Sequence, residues 1–180
     1  MKKKNIDTII YNDSPIYIDP RNKKLGGRIL STLKNLYLTI KKLDLKIAKA
    51  ENYFVNAHAL GVPIKGVENL KDKLFGLEAN LEELGAIDFK KGCYIGQENT
   101  ARMKLKNKLR KRLLPIKSNF KLNFEDELVF NDIKVGKILI CDPYPFALIK
   151  LSDPDFNTFK NKKINISNGY VRIINDNQDL

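Results

Sequence analysis

Cysteine is scarce in this 180-residue chain: only Cys93 and Cys141 occur, far apart and outside any CxxC pair. That excludes a disulfide scaffold, a zinc ribbon, and an iron–sulfur cluster ligated by this chain's cysteines alone. Long apolar runs are absent too. The longest, Ile138 to Cys141 and Phe146 to Ile149, are four residues each, far short of a bilayer-spanning helix. The basic start Met1-Lys2-Lys3-Lys4-Asn5 is interrupted by Asp7 and Asn12 before an apolar signal region forms. The expectation is a soluble protein of a reducing compartment, the cytoplasm.

Arginine is also sparse, supplying 6 of the 33 positive charges behind a net charge of +12. Phosphate recognition favours the bidentate guanidinium over the ammonium, so Lys-rich, Ile- and Asn-rich usage reads as coding bias more than as a nucleic-acid surface. One stretch survives that discount. Between Glu98 and Glu125 there is no acid, while Arg102, Lys104, Lys106, Lys108, Arg110, Lys111, Arg112, Lys117 and Lys121 all fall there. These charges repel one another and make a candidate anion-facing surface, tRNA included. The stretch has no aromatic until Phe120, so it lacks stacking platforms for single strands, and a solvated face is the simpler reading.

What is present divides into two textures. Thr8 to Tyr11 and Pro15 to Ile18 flank Asn12-Asp13-Ser14, a hairpin signal. Asp19-Pro20-Arg21 breaks the strand, and Leu25-Gly26-Gly27-Arg28 leads into a mixed segment. From Asp44 the pattern is helical, with Ile47, Ala50, Phe54, Ala57 and His58 on one face and Gly61 and Pro63 as the stop. Further helices are expected over Val67 to Phe75, Ala79 to Leu84 and Gln97 to Met103. After Lys108 come six β-prone runs: Lys111 to Lys117, Glu127 to Phe130, Ile133 to Ile140, Phe146 to Leu151, Lys163 to Ile166 and Tyr170 to Ile174. Turn dipeptides separate them, which predicts a small antiparallel barrel or sandwich. The fold class expected is α+β, with a boundary near Asn107 dividing residues 1–107 from a barrel over 108–180.

The stretch Lys90-Lys91-Gly92-Cys93-Tyr94-Ile95-Gly96-Gln97-Glu98 carries the most chemistry. It sets a thiol between two ammonium groups and the start of a helix, both of which favour thiolate, with glycines on either side leaving room for an approaching atom. A buried Cys at a loop–helix junction is the competing reading. Cys141, ending an apolar run, is expected to be core. His58, the only His, is expected to be a hydrogen-bonded core residue, and Glu98 to cap its helix or pair with Arg102. No paired carboxylates, Ser–His–Asp set or phosphate-cradling loop is present to support another catalytic reading.

Lys91 to Glu98, followed by Thr100-Ala101-Arg102, resembles without a gap the signature of the YgfZ-type proteins. These are folate-binding relatives of the glycine-cleavage T-protein (aminomethyltransferase) superfamily, implicated in iron–sulfur cluster assembly and repair. Asn80-Leu81, Leu84-Gly85 and Arg110-Lys111-Arg112-Leu113 match around the signature. Asp19-Pro20-Arg21 with Leu25-Gly26 and Arg28 looks like the family's DPR…LGxR segment, and Leu60-Gly61-Val62-Pro63 like its helix-ending GIP. The resemblance covers roughly the whole chain, and is at least as close to the mitochondrial iron–sulfur branch as to the bacterial one. It implies a partial T-protein-like folate-binding domain before the barrel. The DPR segment begins near residue 19, so the family's first lobe is expected to be lost here or supplied by a separate chain. His58 stands where relatives usually carry Arg.

The resemblance further implies that Cys93 is the functional thiol. It would share an iron–sulfur cluster with an A-type carrier protein, with Lys91 tuning the thiol. Lys91, Gly92, Tyr94, Gly96, Gln97, Glu98 and Arg102 would then form the cofactor-binding surface, with tetrahydrofolate a weak ligand. A non-catalytic assembly factor is the leading expectation. A folate-dependent one-carbon transferase with Cys93 as nucleophile, and a tRNA-binding module supporting tRNA modification, are the alternatives. The transferase lacks a nearby base for Cys93.

Overall fold

The computed structural model describes residues 8–92, 97–106 and 109–174. Strands β1 (Ile9–Tyr11), β2 (Ser14–Ile18) and β3 (Gly27–Ile29) form a three-stranded antiparallel sheet in that order. Asn12 and Asp13 close its first hairpin with φ of 46° and 57°. Asn131 and Asp132 close another with φ of 49° and 61°. The same dipeptide thus supplies two consecutive left-handed residues, the geometry that matches strand twist in a two-residue hairpin.

Helices α1 (Leu33–Lys42) and α2 (Ala50–Ala59) follow. The Thr32 hydroxyl accepts from the Asn35 N–H at 3.2 Å and caps α1. At the end of α2, Val62 N–H donates to the Ala57 carbonyl and Gly61 N–H to that of His58, with Gly61 at φ 78°. This paired closure requires a left-handed residue, which glycine adopts without steric cost. Helix is therefore confined to Ala50–Ala59, and residues 45–49, expected to be helical, are not.

Two more expectations are corrected. Residues Val67–Leu70 make only a 3-10 turn, and residues 76–85 are successive turns. Asp72 (φ 58°) and Asn80 (φ 60°) are left-handed, which stops a helix from propagating through either segment. Helix α3 (Gln97–Leu105) forms where expected.

The six remaining strands are β4 (Lys111–Lys117), β5 (Glu127–Phe130), β6 (Ile133–Ile140), β7 (Phe146–Lys150), β8 (Ile164–Ile166) and β9 (Gly169–Ile173). They close into an antiparallel barrel in the order β4-β7-β6-β5-β8-β9, so the molecule is α+β as expected. Alternate residues fill its interior: Leu114 and Ile116, Ile138, Ala147 and Ile149, Val171 and Ile173. Their neighbours Leu113, Leu139, Ile140, Phe146 and Leu148 face outward, yet are buried under Leu70 and Leu74. A strand covered on both faces needs a continuous apolar run rather than alternation. Hence the two longest apolar runs of the sequence lie in β6 and β7 or reach just past them.

Candidate functional site

Three polar joints hold the described elements together. The first is centred on Asp19, whose side chain is 1% exposed. The Arg21 guanidinium donates to its carboxylate at 2.9 Å and Arg28 at 2.7 Å. Both arginines also donate to the Tyr53 hydroxyl, at 2.8 and 2.9 Å, tying the sheet to α2. The hydrogen bond from Arg21 holds the Asp19 carboxyl far below the usual carboxylate range, against burial, which alone would raise it. The DPR…LGxR spacing therefore builds one buried carboxylate between two guanidinium groups. Tyr53, separated from them by 25 and 32 residues, was not legible in the pattern.

The second joint is His58, fully buried. Its Nε2 accepts from the backbone N–H of Ile64 (2.9 Å) and of Lys65 (3.1 Å). An acceptor Nε2 places the proton on Nδ1, which donates to the Tyr144 carbonyl at 2.9 Å. The ring stacks edge-on against Phe146, centroids 5.3 Å apart. His58 is thus a neutral core latch between α2 and the β6–β7 connection, as the sequence led us to expect. Burial lowers its pKa, opposed by the bond to Tyr144. Stability supplied by the neutral ring is complete above the unfolded pKa of about 6.5 and is lost as pH falls through the lower folded value. As the chain has one His, urea midpoints should drop between pH 7.0 and 5.5 in the wild type. This histidine step should vanish in His58→Ala, which should also lose about 2–4 kcal/mol at pH 7. An undiminished step in His58→Ala would contradict the assignment.

The third joint docks residues 76–85 on β4. Leu113 N–H donates to the Glu78 carbonyl (2.8 Å), and the Asn80 side-chain amide donates to the Leu113 carbonyl (2.6 Å). Glu78 uses its side chain to accept from Phe75 N–H at 3.0 Å. It is a structural acceptor rather than a base.

Asp88 accepts from Lys90 N–H at 2.9 Å and turns the chain into Lys91-Gly92, which are exposed. A Cβ added at Gly92 would meet nothing within 4 Å, so the approach is open. Cys93, Tyr94, Ile95 and Gly96 lie outside the described residues. Beyond them, α3 is held by Lys104, whose ammonium donates to the Glu82 carboxylate at 2.6 and 2.8 Å. Arg112 pairs with Glu83. Gln97 is half-buried, while Glu98 and Arg102 are both exposed and make no ion pair with one another, contrary to the expected i, i+4 link. Two members of the basic stretch are thereby neutralised by Glu82 and Glu83, which favours the solvated-face reading over an anion-facing surface.

Cys141 is corrected from core to half-buried. It lines a cleft of about 380 Å³ with Lys65, Gly66, Glu68, Asn69, Ile140, Asp142 and Pro143. Gly66 has φ 71°, and a Cβ there would stand 2.9 Å from the Ile140 side chain, so the cleft wall depends on glycine. Burial, then Asp142, push the Cys141 thiol up, away from thiolate. The cleft has no aromatic wall, and Lys91, Gly92, Glu98 and Arg102 are exposed rather than convergent. Neither set by itself walls a ligand on opposite sides as a tetrahydrofolate site would, and Tyr94 and Gly96 of the expected cofactor surface lie outside the described residues. Among them, no group of three His, Cys, Asp or Glu could hold a metal ion.

No family model matches the chain. Curated relatives do. One named "Iron-sulfur cluster assembly factor IBA57 homolog, mitochondrial", from Pyricularia oryzae, is 37% identical over 97 residues, covering 54% of this chain and 24% of the relative. The one from Dictyostelium discoideum is 32% identical over 129 residues, covering 68% and 31%. The human protein is 35% identical over 100 residues, covering 55% and 27%. The chain thus spans about a fifth to a third of the curated relatives it matches. Their names place them in mitochondria, which overturns the cytoplasmic expectation. This chain is similar to mitochondrial iron–sulfur cluster assembly factors.

Proposed function

We propose that the chain acts in iron–sulfur cluster assembly as a non-catalytic accessory factor, contributing the Cys93 thiol to a cluster passed through an A-type carrier protein. The cluster is cargo, and the carrier would supply the remaining ligands, since a cluster of this kind takes four protein ligands. The observation that supports this reading most is the setting of the signature. The residues before Cys93 are exposed, open and cationic, and α3 behind it is anchored through Lys104 and Glu82. A thiol meant for a partner's cluster needs such access, and neighbouring ammonium groups favour its thiolate form. The names of the relatives agree with this reading. The opposite setting of Cys141, beside Asp142 in a cleft, leaves it out.

Competitive alkylation read by mass spectrometry tests the proposal. Cys93 should label at least tenfold faster than Cys141 in the folded chain, and a cluster-loaded carrier should protect Cys93 selectively. Faster labelling of Cys141, or no protection of Cys93, would contradict it.

A further inference from the structure

Helix α1 holds five large apolar residues among ten, yet its only buried residue is Thr39. The solvent side shows two adjacent i, i+4 rows, Leu33-Tyr37-Lys41 and Lys34-Leu38-Lys42. Leu33 is 84% exposed, Tyr37 67% and Leu38 50%. Natural surface helices turn such side chains to a core, and a cluster of exposed ones marks an interaction site. Beside α1, β1 and β3 each pair only with β2 among the described residues, which leaves both at sheet edges. On β1, Ile9 and Ile10 are 60% and 69% exposed.

From these observations we propose that α1, with the adjoining β1 edge, is a docking face for a separate acidic polypeptide that receives the helix in an acid-rimmed apolar groove. Charge selects this occupant. From Thr32 through Lys49 there are five lysines and one acid, Asp44, and none of those lysines forms an ion pair among the described residues. A second copy would bring the same lysines against themselves, which costs several kcal/mol in such juxtapositions. A bilayer is a poorer match, because α1 offers three apolar anchors and the free strand edge offers backbone donors and acceptors. A polypeptide satisfies those groups and hydrocarbon does not. The proposal is independent of the cluster reading, as no residue of the signature enters it.

The test places the photo-cross-linking residue p-benzoylphenylalanine at Tyr37 of the full chain in its native cells. The expected adduct joins a different polypeptide through a peptide rich in Asp and Glu. Combining Lys34→Glu, Lys41→Glu and Lys42→Glu should lower its yield at least tenfold. Because α1 buries so little, that variant should keep the wild-type circular dichroism and melting curve. Should it not, Leu33→Ser with Leu38→Ser is the second variant, expected to lower the yield likewise. An adduct with a second copy, no adduct, or a yield indifferent to both variants would overturn the proposal. So would co-sedimentation with phosphatidylserine vesicles that the charge reversal abolishes.

Discussion

Asp19→Asn is expected to destabilise the chain by about 2–3 kcal/mol at pH 7 and to lower its melting temperature by roughly 5–10 °C. The carboxylate is almost fully buried, while Arg21 and Arg28 are 26% and 41% exposed. Removing one partner of a fully buried pair costs about 3–5 kcal/mol, and partial solvation of both arginines takes the figure down. Tyr53 would remain as a neutral acceptor for two guanidinium groups that had shared a charge. The pH dependence gives a second check. The folded pKa of Asp19 is lowered, so its stabilisation is complete above the unfolded value of about 3.9 and is lost as pH falls below it. The gap between wild type and Asp19→Asn should therefore narrow in acid. Far-UV circular dichroism is the suitable probe, because the chain has no tryptophan. Lys134→Gln, which breaks the exposed pair with Glu127, is the control and should cost under about 0.5 kcal/mol. An Asp19→Asn melt indistinguishable from that control would show that the joint does not hold the sheet to α2.

The barrel was legible in the sequence because its signals are local. Turn dipeptides fix each reversal, and the apolar spacing of each strand states which faces are covered. All six strands fall within about a residue of where the pattern put them. Helix α1 was passed over although Leu33, Leu36, Tyr37 and Ile40 keep the i, i+3, i+4, i+7 spacing of one helix face. Leu36-Tyr37-Leu38-Thr39-Ile40 mixes helix and strand formers, which obscured that spacing. The expected helices at residues 67–75 and 79–84 failed for another reason. Asp72 and Asn80 adopt left-handed geometry, and Asn80 spends its side chain on the Leu113 carbonyl 33 residues away. No local rule reports such a contact. The same holds for the site. The pairing of Asp19 with two arginines lay within a ten-residue span, but its link to Tyr53 and the His58–Tyr144 contact required the fold. The exposure of Lys90, Lys91 and Gly92 agrees with their charge and small size, whereas the half-burial of Cys141 was not foreseen. Its apolar run ends at the strand's end, where the side chain packs against the barrel core on one side and lines a cleft on the other.

The most direct test of the cluster-sharing account compares wild type, Cys93→Ser and Cys141→Ser, each mixed with a cluster-loaded A-type carrier. The readout is visible absorbance of the complex separated from free carrier. The two cysteines are the only thiols the chain could offer. One follows two lysines in the sequence, and the other has a thiol pushed up by burial beside Asp142. Loss of a sole thiolate ligand removes a cluster bond outright, so the expected effect is all or none rather than graded. Cys93→Ser should abolish the absorbance of the complex, with its circular dichroism and melting curve unchanged. Cys141→Ser should retain it in full. A cluster signal that survives Cys93→Ser would contradict the account.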